Sequence, residues 1–212
     1  QAGGRFITNS AVDLSFDEWT NTSSLQAKTL SININRLTQT ASGALITESS
    51  INTSGERWLN DGAIETDGTL NLTLTDAYNG NGKLLAQGDL GLTAGSADLG
   101  SDAEVRSAGG AQFDIGTVFS TAGKITAVND VNVKAASLSN LGTLGSAAAL
   151  HIEAAQLINQ GGLLFSGEGM QLLADSLSNL YADIYSLGTL TIAKDGAGNK
   201  STLLENRSGS IE

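Results

Sequence analysis

Asp114, Lys134 and Glu153 occupy one recurring position of the sequence, 20 and 19 residues apart. If each step carries the chain once around a stack, the two carboxylates lie about 9.6 Å apart, twice the spacing of neighbouring strands. That is the upper edge of the separation used by inverting glycosidases, where one carboxyl protonates the leaving oxygen and the other activates water. The three residues also alternate in sign, so they read as a cross-strand ion ladder, each contact contributing roughly 0.2–1 kcal/mol. No arginine or carboxylate cluster is signalled around them, which favours the ladder. The single histidine, His151, stands in Leu150-His151-Ile152-Glu153, with Asn132 and Gln171 one step before and after it. With no second histidine and no cysteine, it reads as one member of a solvated polar column and not as a metal ligand. Trp19 and Trp58 are either exposed aromatics that stack on a glycan or anchor a partner, or plugs over an irregular coil, and plugging is favoured. The Asn-x-Ser/Thr triplets at Asn21, Asn52, Asn71, Asn199 and Asn206 are what so Asn- and Thr-rich a chain produces by composition. No catalytic, cofactor-binding or metal-binding residue is assigned.

What would position these side chains is a repeat. In Asn60–Asn79, Ile64 precedes a corner at Gly68, and then Leu70, Leu72 and Leu74 alternate with Asn71, Thr73 and Thr75. Alternation with period two is the signature of a half-buried strand. So few inward residues cannot offset the entropy of ordering the unit alone, so it must stack on copies of itself. The copies are present. One apolar marker runs Ile64, Leu84, Val105, Ile125, Leu144, Leu164, Ile184, Leu203. A second runs Leu70, Leu90, Ala111, Val131, Leu150, Met170, Leu190, Ile211. A third runs Leu37, Ala77, Ala97, Val118, Leu138, Leu157, Leu177, with one turn skipped after Leu37. From Asn60 on, the steps in all three stay between 19 and 21 residues, so an internal repeat decides the fold. Asn140, Asn159 and Asn179 recur on the same period and are expected to stack as an amide ladder at a corner.

The totals suit such an array. Twenty-two acidic against 11 basic residues give a net charge of -11, which disfavours a nucleic-acid or anionic-membrane surface. Cysteine and proline are both absent: no disulfide or thiolate site is available, and no ladder donor is lost to proline. No apolar run approaches the roughly 18 residues of a membrane span. The chain opens Gln-Ala-Gly-Gly and its one methionine is Met170, so it reads as a piece of something longer.

The expected architecture is all-β, a right-handed parallel β-helix (β-solenoid) of about ten coils with roughly 20 residues each. A leucine-rich repeat is disfavoured because the remainder of each unit is Gly, Asn, Ser and Thr, poor helix formers. Residues 1–212 are expected to be one segment of a longer protein. Within it, 1–59 form less regular coils, with a modified turn or surface excursion near 46–59. Residues 60–192 carry the regular repeats, and 193–212 hold a glycine-rich loop and a final coil.

The unit Asn-x-Gly-x-Ile/Leu-x-Ala-x-Gly-x-Leu-x-Leu-x-Ala-x-x-Leu-x-Asn resembles the filamentous haemagglutinin repeat. Gly82–Ala94, Val131–Asn140 and Met170–Asn179 carry the resemblance most clearly. It implies a two-partner-secretion exoprotein at the bacterial surface, a filamentous adhesin or a contact-dependent growth inhibition effector. It further implies export through an outer-membrane β-barrel transporter, a stiff monomeric rod outside the cell, and a host or target-cell receptor or glycan as partner. On this reading the segment is a non-enzymatic stalk that projects a receptor-binding or toxic region. A polysaccharide-binding or polysaccharide-processing β-helix is the alternative.

Overall fold

The computed structural model describes residues 4–212. Its strands are all parallel to their neighbours and stack as a solenoid of about nine turns, roughly 20 residues per turn, with no helix. At roughly 4.8 Å per turn this makes a rod about 43 Å long. Each turn has three sides. The first is a four-residue strand, as in Ala63–Thr66, Lys83–Ala86, Thr143–Ser146 and Leu163–Ser166. The second and third sides run through one longer strand, as in Leu150–Gln160 and Met170–Leu180, bent where two successive residues face outward. At Gly95 and at Gly116-Thr117 the bend interrupts the strand instead, giving Leu90–Ala94 with Ser96–Leu99, and Ala111–Ile115 with Val118–Thr121.

Parallel register puts like on like. Leu150 pairs with Val131 and Met170, and Leu157 with Leu138 and Leu177, so each inward ring packs on the rings of adjacent turns. The first two marker columns are buried as expected through Met170 and Ile184. Burying one such leucine contributes roughly 1.5–3 kcal/mol, and the column supplies several per turn.

The third column differs from its expectation. Phe119, not Val118, pairs with Ala97 and Leu138; Phe119 is 0% exposed and Val118 51%. Tyr78, not Ala77, continues the column, because Ala77 pairs with Arg57 and Ser96 at the corner. Nor is a turn skipped after Leu37, since Trp58 lies between Leu37 and Tyr78 in register. The physical reason is volume. Phe119 stands in register with the small Ala97 and stacks inward on Phe113, ring centroids 5.4 Å apart.

Residues 44–60, where a modified turn or surface excursion was expected near 46–59, form a strand, Ala44–Asn60, paired on both sides. Its alternation fails because the register shifts between Gly55 and Arg57. Gly55 passes so close to the preceding turn that a Cβ there would stand 2.0 Å from the Ile34 carbonyl oxygen.

The last turn is also re-registered. Leu204, not Leu203, pairs with Leu177 in the third column, and Ile211 pairs with Ile184 in the first. The loop after Ala193 lengthens this turn, so its pairing separation rises to 27 residues, as between Asn179 and Asn206.

Candidate functional site

The outward column expected from sequence is present as register. Asp114 pairs with Lys134 and Lys134 with Glu153, all on the second side of successive turns. Lys134 Nζ lies 3.8 Å from Glu153 Oε1. Both side chains are well exposed, and a pair so solvated contributes about 0–1 kcal/mol. Asp114 forms no ion pair with Lys134 among the described residues. Beside this column runs another of Gln112, Asn132, His151 and Gln171, so His151 projects from the flat face between two amides. Gln112, Asn132, His151 and Gln171, with Lys134 and Glu153 but not Asp114, line an open depression on this face. Among the described residues no group of three His, Cys, Asp or Glu side chains could hold a metal ion.

The two tryptophans separate. Trp58 is fully buried and donates its indole N–H to the Ile34 carbonyl at 2.9 Å, so it is a core plug. Trp19 is partly buried against the same core, in register with Leu37. Of the Asn-x-Ser/Thr asparagines, Asn21 is buried with its amide engaged by Gln39. Asn52 and Asn71 stand exposed on adjacent turns and bond to each other at 3.1 Å. Asn199 is tied to Asp195 at 2.8 Å.

The longest runs of linked polar side chains face inward. Asn140 donates to Asn159, Asn159 to Asn179 and Asn179 to Asn206, each at 2.8 Å. A matching run at the other end, Asn21 to Gln39 to Asn60, has bonds of 2.9 Å and finishes on the Tyr78 hydroxyl. Burial drives the Tyr78 hydroxyl pKa well above the usual phenol range, against the smaller opposing effect of its bond from Asn60. After Tyr78 the ladder stops at Gly80, whose φ of 140° only glycine adopts readily and which presents no side chain.

A second inward polar column went unread in the sequence. Thr66, Ser107, Ser146, Ser166 and Ser186 stand two residues after the first apolar marker. Their hydroxyls bond neighbouring turns, as Thr47 does to Thr66 at 2.7 Å and Ser166 to Ser186 at 3.0 Å. Their fixed offset from that marker was the available signal. On the outside, ion pairs link turns at Lys83–Glu104 and Arg57–Asp76. Asp175 pins the terminal loop through Thr202 at 2.8 Å and Lys194 at 3.1 Å, and in that order these hold its carboxyl below the usual range.

A solenoid of haemagglutinin-type turns, closed at one corner by recurring amides, matches the Haemagglutinin repeat family model over residues 2–73, 59–126 and 106–211. The chain belongs to the haemagglutinin repeat family. Deoxyribonuclease CdiA of Dickeya dadantii (strain 3937) is 40% identical over 73 residues, which is 34% of this chain and 2% of that protein. Toxin CdiA of Escherichia coli is 31% identical over 91 residues, 42% of this chain and 3% of that protein. The tRNA nuclease CdiA of Escherichia coli O6:K15:H31 (strain 536 / UPEC) matches to the same extent. The haemagglutinin-repeat chain therefore spans 2–3% of the length of these relatives. No solved structure matches it. Membership places it among secreted, cell-surface exoproteins of the two-partner kind. Among the described residues no helix is long and apolar enough to cross a membrane.

Proposed function

We propose that these turns form a non-enzymatic length of stalk in a large exoprotein of adhesion or contact-dependent inhibition. The supporting observation is the parallel pairing of turn on turn from Arg5 to Ile211 around one apolar column. A rod so built has a length set by its number of turns, and its role is to hold a receptor-binding or toxic region away from the cell. The relatives' nuclease and toxin names describe whole proteins, and on this reading such activity lies outside the repeat turns. Family membership supports export through an outer-membrane transporter. The chain then winds up outside, unhindered by disulfides or prolyl isomers, since it has neither cysteine nor proline. Its charged and hydroxyl-rich outer faces disfavour lateral strand pairing and keep the rod monomeric.

The test is an assay of the soluble chain against acidic and neutral polysaccharides, with Asp114→Asn and Glu153→Gln as comparison chains. Stalk function gives no turnover in any of them. Cleavage by the parent chain that disappears in either variant would establish a polysaccharide-processing β-helix instead.

A further inference from the structure

The side-chain network that stitches one turn to the next has a single gap. Up to Thr117, each point along the described chain is spanned by at least one side-chain hydrogen bond or ion pair between turns. The last of these are Ser107 to the Gly88 carbonyl at 2.7 Å, the Gly110 N–H to Asp89 Oδ1 at 2.8 Å, and Thr117 to the Gly95 carbonyl at 2.7 Å. They resume with Ser146 to the Asn129 carbonyl at 2.7 Å, Lys134–Glu153 and Asn140–Asn159. Between Thr117 and Asn129, among the described residues, none crosses.

Two buried atoms mark the same seam. Thr121 and Asn140 pair in register in the amide column, yet Thr121 Oγ1 and Asn140 Oδ1 both lack a hydrogen-bond partner. Everywhere else that two polar residues adjoin in this column, from Asn21 to Asn60 and from Asn140 to Asn206, they bond. On the outside of the seam Asp114 pairs in register with Lys134 without an ion pair, while Lys134 turns to Glu153. The backbone ladder and the apolar core continue through it.

We propose that the rod is two cooperative units meeting at this seam, one ending at about Thr121 and the other beginning at about Lys124. In a linear array, stability is a sum of turn and interface contributions, so the interface with the fewest contributions is where it divides. In a loaded stalk this seam parts first; that extension rests on the stalk reading, whereas the division into two units does not.

Native-state hydrogen exchange of the 212-residue chain at rising urea tests it. The expected result is two blocks of amides with separate opening free energies, their boundary within residues 117–129, distinct from fraying at the two ends. Thr121→Asn would supply the missing rung to Asn140, and it should merge the blocks and slow exchange around the seam at least tenfold. One cooperative block in the parent chain, or a boundary elsewhere, overturns the proposal without bearing on whether the segment is a stalk.

Discussion

Asn159→Ala is the substitution that most directly weighs the amide column against the apolar one. Asn159 is 0% exposed, accepts from Asn140 Nδ2, and donates to Asn179 Oδ1 at 2.8 Å and to the Asp183 carbonyl at 3.0 Å. Truncation leaves Asn140 Nδ2 with the Gly142 and Leu163 carbonyls at 3.3 and 3.2 Å, so that donor stays satisfied. Asn179 Oδ1 has no such reserve. Orphaning a buried acceptor costs about 1–3 kcal/mol, and the bonds lost to Asn140 and to the Asp183 carbonyl add roughly 0.5–1.5 kcal/mol each, the 3.4 Å contact with the Gly162 carbonyl being too long to add appreciably. The sum is about 2–6 kcal/mol. Asn206→Ala removes the same side chain at the ladder's exposed end, where water replaces the partner, and is expected to cost under about 1 kcal/mol. Urea denaturation followed by circular dichroism compares the two directly. If both variants lost the same stability to within about 1 kcal/mol, the column would be a passive filler of the corner.

Two further outcomes follow from particular residues. Phe119→Ala should cost about 3–5 kcal/mol as an emptied core site, while Val118→Ala should stay within about 0.5 kcal/mol; the reverse order in thermal melts would restore Val118 to the core. Because burial raises the Tyr78 pKa in the fold, the neutral phenol is the form the native state prefers. Its stabilisation is complete below the ordinary phenol pKa of about 10 and is lost above it, at up to about 1.4 kcal/mol per pH unit. Urea midpoints from pH 9 to 11 should therefore fall in the parent chain and flatten in Tyr78→Phe; equal alkaline sensitivity would refute that account.

The fold was legible because a parallel solenoid converts spatial stacking into sequence period. Each inward apolar residue must meet its like one turn later, so Leu70, Leu90, Val131, Leu150 and Met170 line up in the string as they do in space. What failed was legible only from partners. Val118 and Phe119 are adjacent and both apolar, so hydrophobicity cannot choose between them. Counting back two residues from the amide column would have chosen, since Leu138 precedes Asn140 as Phe119 precedes Thr121. A threonine standing in an asparagine column hid that clue. Trp58 was hidden differently, by the register shift at Gly55 that breaks alternation just before it. In the last turn the loop between Ala193 and Leu203 adds residues, so Leu203 and Ile211 kept the marker spacing while the third column moved to Leu204 and the first to Ile211.

The same logic explains why a chemical site was harder to read than the core. Outward residues on a solenoid side are held at fixed spacing along a flat face, so register brings Asp114, Lys134 and Glu153 into file without converging them on any point. Convergence on this fold needs a loop or a bend that folds over a face. The candidate loop, 194–202, spends its polar groups on itself and on Asp175: Asp195 accepts from Ala197, and twice from Asn199. With those acceptors occupied, the loop caps a corner instead of building a pocket. The inward amides, by contrast, are forced to meet because the corner leaves them one direction in which to bond. The residue at each rung therefore decides whether neighbouring turns are joined there, and Thr121, in register with Asn140 but not bonded to it, is the rung where they are not.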